Sequence, residues 1–288
     1  MSPIFIVGCG DVGLRVAERW KKQGVTLSAL ARSSESAAHL SQQGITPITG
    51  DLDAAETLQN LPLSGAWVYY FAPPPLSGVV DSRMQVFISR LQSAKTAPLG
   101  VVYISTSGVY GDCQGAWVDE DAVLAPMTDR SKRRLDAEQQ LRSWGRVSGV
   151  AVIVLRVGGI YGPDRLPIKR LQRQEPVLEP QQSPYSNRIH IDDLVTILLA
   201  AIEKGQADRV YNTCDDSPST MSDYFFAVAD SVGLARPPTV DMQQAALVMS
   251  PAMLSYLTES RRMVNRRLYD ELGVTLAYPD LASGLKSS

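Results

Sequence analysis

The chain has 288 residues, 44% of them hydrophobic and 20% charged, with 28 basic against 30 acidic side chains and a formal net charge of −2. That length holds one large α/β domain, alone or with a smaller appendage, and the slightly acidic balance argues against a nucleic-acid partner, which requires a basic docking face. Cys9, Cys113 and Cys214 stand far apart with only His39 and His190 beside them, so no metal site is expected; the thiols read as reduced and the protein as cytoplasmic, and with no stretch near 18 apolar residues no membrane span is expected.

MSPIFIVG has no basic n-region and leads straight into a motif, so IFIVG (4–8) reads as a first strand rather than a leader. DVGLRVAERWKKQG (11–24) carries Val12, Val16 and Trp20 at helical spacing and stops at Gly24. Then come a strand TLSALA (26–31), a helix SESAAHLSQQG (34–44), strands ITPI (45–48) and AWVYYFA (66–72), a helix DSRMQVFISRLQSA (81–94) and a strand GVVYIS (100–105). A helix over about 130–147 and the strand GVAVIVLRV (149–157) continue the alternation. Near-continuous apolar strands suit parallel strands covered by helices on both faces. The expected fold is therefore α/β, a doubly wound Rossmann-type parallel sheet. From about 163 the texture turns rich in Pro, Gln and basic residues. RIHI (188–191) is a short strand, and DDLVTILLAAIEKG (192–205) is a helix capped by Asp192 or Asp193 and stopped by Gly205. RVYNTC (209–214) returns as a strand, and helices are expected near 220–233, 241–249 and 259–272.

Gly8-Cys9-Gly10-Asp11-Val12-Gly13 is a G-x-G-x-x-G between the first strand and the first helix. The first glycine permits a tight turn, the second lets backbone approach a pyrophosphate, and the third brings helix close to strand. The helix N-terminus adds N–H groups and positive potential. Residues 1–165, rejoined by 188–215, are thus expected to form an NAD(P)-binding domain, with 166–187 and 216–288 a smaller substrate-side part. The second strand ends Ala31-Arg32-Ser33-Ser34 without an acid for the ribose 2′-hydroxyl of NAD. Arg32 offers a planar fork suited to phosphate and Ser33 a hydroxyl, so NADP is expected ahead of NAD.

With these residues in view the chain resembles the extended, or atypical, short-chain dehydrogenases/reductases of the NAD-dependent epimerase/dehydratase type. The matching features are GCGDVG, Gly50-Asp51-Leu52, Ser105-Thr106-Ser107-Gly108-Val109-Tyr110-Gly111, Arg156 with Ile160-Tyr161-Gly162-Pro163, Arg188-Ile189-His190-Ile191-Asp192-Asp193, and Tyr211-Asn212. The resemblance implies that Asp51 and Leu52 lie by the adenine, that Phe71, Ala72 and Pro73 pass the cofactor ribose, and that Gly159 lies near the nicotinamide. It implies Thr106 as the hydroxyl that bonds a substrate oxygen, and Arg188 and His190 as substrate-facing. It also implies a homodimer through helices of the Rossmann part. Asp51 and Asp192 are also residues that a turn and a helix N-cap use, with Asp51 read first as a cofactor residue, and His190 is equally suited to a structural role.

The family's Tyr-x-x-x-Lys should open the helix after the fifth strand, where TDRSKRRLDAE (128–138) stands. Anchoring on Ala137-Glu138 puts Arg130 at the tyrosine position and Arg134 at the lysine position; a rival register uses Thr128 and Lys132. Positions 130, 134, 137, 141 and 144 form one helical stripe, which turns Arg130 and Arg134 inward and leaves Lys132 and Arg133 to solvent. Arginine stays protonated in proteins, so Arg130 cannot shuttle a proton, while Arg134 can still bind a ribose or phosphate. Tyr110 and Tyr161 are the candidates for the missing acid/base. Two functions follow as expectations. One is an NADP-dependent oxidoreductase or epimerase acting on a nucleotide sugar or similar hydroxyl-bearing metabolite. The other is a catalytically weak NADP(H) sensor or regulator.

Overall fold

A computed structural model describes residues 1–287. β1 (Ile4–Val7) is buried along its whole length. α1 (Asp11–Lys22) has an acid in its first turn and Arg19, Lys21 and Lys22 in its last, which complements the helix dipole. It buries Val16, Ala17 and Trp20 and ends where Gly24 takes φ +74°, a conformation that suits glycine. β2 (Leu27–Ala31), α2 (Ser34–Gln42), β3 (Thr46–Thr49), β4 (Trp67–Tyr70), α3 (Ser82–Ser93), β5 (Gly100–Thr106), α4 (Asp129–Ser148), β6 (Ala151–Val157), α5 (Ile191–Lys204) and β7 (Arg209–Thr213) follow. The strands form one seven-stranded sheet in the order β7-β6-β5-β4-β1-β2-β3, with β1 parallel to both β2 and β4, β2 parallel to β3 and β4 parallel to β5. The expected doubly wound sheet is therefore present. Its order reverses between β1 and β4, the point where such sheets bind ligands at their C-terminal ends.

The chain divides into two compact units. The first comprises residues 1–105, 129–156 and 195–211. Phe5, Val68, Tyr70, Phe87, Val101, Tyr103, Leu141 and Val154 lie in its core. A hydrogen-bond chain runs through it: the Trp20 indole donates to the Tyr69 hydroxyl at 3.0 Å, which donates to the Leu198 carbonyl at 2.9 Å. The second unit takes 106–128, 157–194 and the chain from Asn212 on. Residues 106–128, 157–165, 188–194 and 212–215, expected with the sheet, fall in this unit. Its core gathers Tyr161, Leu171, Tyr224, Phe225 and Val228. The strand Gly159–Tyr161 runs parallel to Arg188–His190, pairing Gly159 with Arg188 and Tyr161 with His190.

Two expectations about the elements change. The helix expected over 259–272 is a strand, Arg262–Met263, followed by a short helix, Arg266–Asp270. The strand runs parallel to Trp117–Val118, and the Arg262 and Val264 N–H groups are taken by the carbonyls of Ala116 and Val118, a distant partner that helical periodicity does not register. Neither acid begins α5 as expected, for the helix starts at Ile191. Asp193 instead accepts from the N–H groups of Ala277 at 2.8 Å and Tyr278 at 2.9 Å, holding the C-terminal segment. Among the described residues no helix is long and apolar enough to cross a membrane, and no group of three or more His, Cys, Asp or Glu side chains could hold a metal ion.

Candidate functional site

The glycine turn links β1 to α1. Gly8 has φ +93°, and a Cβ there would stand 2.5 Å from the Ala72 nitrogen, so the turn presses on the backbone leaving β4. A Cβ on Gly13 would lie 3.3 Å from the Gly8 carbonyl and the Cys9 sulfur, the close helix–strand approach expected of the third glycine. A Cβ on Gly10 would meet no atom within 4 Å. The turn therefore opens to space at its middle glycine, beside the first-turn N–H groups of Asp11, Val12 and Gly13, which no intrahelical carbonyl satisfies. A dinucleotide pyrophosphate fits this arrangement. The Asp11 carboxylate, of the wrong sign for a phosphate neighbour, pairs with Arg15 one turn along at 2.9 Å. Burial pushes the Cys9 thiol up to about 12, leaving it unreactive.

Arg32 is exposed at the end of β2. Ser33, expected to lend its hydroxyl to a phosphate, caps α2: its oxygen accepts from the Ser36 N–H and donates to the Ser36 hydroxyl. Asp51 is engaged in a turn, its carboxylate accepting from the Asp53 N–H at 3.0 Å, and Leu52 is buried in the core. Phe71, Ala72 and Pro73 follow β4 with Pro73 exposed. Arg83 on α3 escaped the sequence reading. It grips both oxygens of Asp53, and its third nitrogen donates to the Pro73 carbonyl at 3.0 Å. It thereby ties together two of the loops at the C-terminal end of the sheet.

α4 buries Ala137, Leu141 and Trp144, the stripe that the periodicity indicated. Arg134 lies on it, half-buried, and its Nη1 donates to the Ile104 carbonyl at 3.1 Å and the Tyr103 hydroxyl at 3.3 Å. A fixed positive charge thus sits at the end of β5. Arg130, expected to point inward, is exposed, although the adjacent Ser131 is buried. Arg133, expected in solvent, is buried, and its guanidinium donates to the Gly78 carbonyl; the loop from 73 to 80 supplies this partner. Deeper in the same unit Glu138 accepts from Arg156 at 2.9 Å and from the Ser105 hydroxyl, both acid and base fully buried. This ion pair joins α4 to β5 and β6.

The second unit carries the other expected residues. Thr106 is half-buried, its oxygen accepting from the Gly108 N–H at 3.3 Å while its hydroxyl proton remains available to donate. Tyr110 is not placed to exchange protons: it is 1% exposed and donates to the Asn212 side-chain oxygen at 2.7 Å. Tyr161 is fully buried, donates to the Asp280 carbonyl at 3.3 Å, and has its pKa raised by burial. His190 is also fully buried, its Nδ1 accepting from the Asp192 N–H and its ring 3.9 Å from that of Tyr278. It is thus enclosed by the protein, not open as a substrate-facing side chain was expected to be. Arg188, its neighbour at period 2, differs. Its guanidinium stacks 3.5 Å over the Tyr224 ring, and one terminal nitrogen donates to the Ser186 hydroxyl at 3.0 Å. Its Nε is buried and makes no hydrogen bond. A Cβ on Gly159 would approach its Nη1 to 3.1 Å, so this glycine faces the Arg188 guanidinium. Asp215, which the sequence did not single out, is buried nearby with one carboxylate oxygen unbonded, and burial raises its pKa to about 8.

The chain matches known proteins along most of its length. A model of the NAD dependent epimerase/dehydratase family matches residues 4–214. A dTDP-glucose 4,6-dehydratase of Streptomyces niveus is 31% identical over 132 residues, which is 42% of this chain and 39% of that protein; the chain therefore spans about two fifths of that relative. A functionally unknown conserved protein from Silicibacter pomeroyi superposes with a TM-score of 0.82 at 29% identity, covering 99% of this chain and 97% of that one. The UDP-glucuronic acid 4-epimerase from Bacillus cereus, solved in complex with NAD, superposes with a TM-score of 0.74 at 16% identity over 99% of this chain and 97% of its own, a likeness of fold.

Proposed function

The chain belongs to the NAD dependent epimerase/dehydratase family, and from that membership we propose that it binds a nicotinamide dinucleotide, NADP ahead of NAD, and acts in the cytoplasm on a nucleotide sugar or a similar hydroxyl-bearing metabolite. The glycine turn carries this reading: it opens at Gly10, next to the N-terminus of α1, where the strand order reverses. Once bound, the nicotinamide supplies hydride transfer. Arg134 holds a positive charge against the cofactor's ribose, and the Ile104 carbonyl and Tyr103 hydroxyl keep that charge in place. Thr106 donates to a substrate oxygen. Among the described residues Arg188 has no carboxylate in hydrogen-bond contact, and it receives an anionic group of the substrate, such as a phosphate. The relatives and neighbours named for nucleotide sugars support the substrate class. A homodimer through the Rossmann helices is part of the same proposal.

A second reading has its own observation. The tyrosine position holds Arg130, and both other candidate tyrosines are buried and hydrogen-bonded. A protein so built binds the cofactor well and turns over slowly, as a sensor of NADP(H) would.

Titration with NADPH and NADH, followed by nicotinamide fluorescence, tests the cofactor reading. Tight NADPH binding is expected, with a loss of about tenfold or more in Arg32→Ala and in Arg134→Ala, the scale of one or two charge-assisted hydrogen bonds. Binding of neither nucleotide would remove both readings.

A further inference from the structure

The end of β2 carries a conflict. β2 and β3 run parallel with Ala31 beside Thr49, and the Gly50 N–H donates to the Ala31 carbonyl at 3.0 Å. Arg32 and the loop 51–53 therefore leave the sheet side by side. Asp53 on that loop is 48% exposed. A carboxylate there would repel a phosphate arriving at Arg32, and it would compete for the Arg32 guanidinium. Both effects are coulombic and only partly screened between neighbouring loops.

Arg83 removes the conflict. Its Nε and Nη2 donate to the two oxygens of Asp53 at 2.7 and 2.6 Å. This is the fork-to-carboxylate geometry that satisfies both partners. Its remaining nitrogen is held by the Pro73 carbonyl, so the arginine is fixed from two sides. The electrostatics agree: Arg83 dominates the lowering of the Asp53 pKa, and Arg32 adds a smaller effect. Arg32 is close enough to feel the carboxylate, and it is Arg83 that bonds it.

We infer that Arg83 is a cofactor-specificity residue: by occupying Asp53 it leaves Arg32 free for the 2′-phosphate of NADP. The inference rests on the NADP reading above. Arg83 acts through Asp53 and Arg32, as a positioning residue, and selects between cofactors that differ by one phosphate.

The test is the ratio of NADPH to NADH affinity in wild type, Arg83→Gln, Asp53→Asn and the double variant, each checked for a cooperative thermal melt. Wild type is expected to prefer NADPH. Arg83→Gln is expected to lose about tenfold in NADPH affinity with NADH changed less than about twofold, the scale of one uncovered charge beside a phosphate. Asp53→Asn in that background removes the uncovered charge and is expected to restore most of the loss. Asp53→Asn alone is expected to keep or raise the preference, and it decides the matter should Arg83→Gln fail to fold. Equal losses for both nucleotides, no recovery in the double variant, or a fallen preference in Asp53→Asn overturns the inference while the NADP reading stands. A wild type that binds NADH as tightly as NADPH overturns both.

Discussion

Four basic side chains in five positions, Arg130, Lys132, Arg133 and Arg134, turn out to have different surroundings and different work. Arg130 and Lys132 are exposed, Arg133 is buried against a backbone carbonyl, and Arg134 places its charge at the end of β5. The neighbouring Glu138 is a structural residue. It is buried with Arg156 and the Ser105 hydroxyl, and removing one member of such a pair strands the other charge. Glu138→Ala is expected to lower stability by about 3–5 kcal/mol, read as a shift in the urea midpoint at unchanged slope. Tyr110 poses the opposite question, since its phenol serves Asn212. Tyr110→Phe is expected to cost about 1–2 kcal/mol of stability for the acceptor left unsatisfied. Once a substrate is known, the same variant should leave the pH profile of turnover where it was. A displaced profile would return Tyr110 to the chemistry.

At the level of elements, the close approaches of backbone decide which residues are tolerated. The turn between β1 and α1 touches the end of β4 at Gly8, where both the positive φ and the missing Cβ are needed. Gly8→Ala is expected to abolish dinucleotide binding by displacing that turn, with binding followed by nicotinamide fluorescence and folding by circular dichroism. α4 meets β6 in a similar way, for a Cβ on Gly145 would lie 2.5 Å from a Val152 methyl. Gly145→Ala gains helix propensity, about 1 kcal/mol, yet overpacking costs about 1–3 kcal/mol. The expected net effect is a lower melting temperature. A rise would show that α4 can move away from the sheet.

For the molecule as a whole, pH is the variable through which one buried group reaches total stability. Asp215 has a folded pKa of about 8, against an unfolded value near 3.9. The folded state therefore holds the proton more tightly, and its contribution to stability is fully present below about pH 4 and lost as pH rises through about 8. Across that window one proton sets a slope of at most about 1.4 kcal/mol per pH unit. Urea unfolding at pH 6, 7 and 8.5 is expected to show declining stability in wild type and a flatter trend in Asp215→Asn; parallel trends would place the titration elsewhere. None of this could be seen in the residue order, because the burial of Asp215 comes from segments far along the chain. The same division runs through the protein. The glycine turn, the alternating strands and helices, and the apolar stripe of α4 were legible from local periodicity and backbone sterics, which act over a few neighbouring residues. The pairing of Asp53 with Arg83, 30 residues apart, and of Tyr110 with Asn212, 102 apart, was not legible. Nor were the burial of Arg133 and the strand at Arg262–Met263. Each depends on which distant backbone or carboxylate the topology brings alongside, and a side chain's hydrogen-bond partner has no periodicity in the sequence. The sequence alone determined a Rossmann-type sheet with a glycine turn after its first strand; the tertiary structure decided which charges are paired inside the protein and which stay exposed, because those partners come from distant parts of the chain.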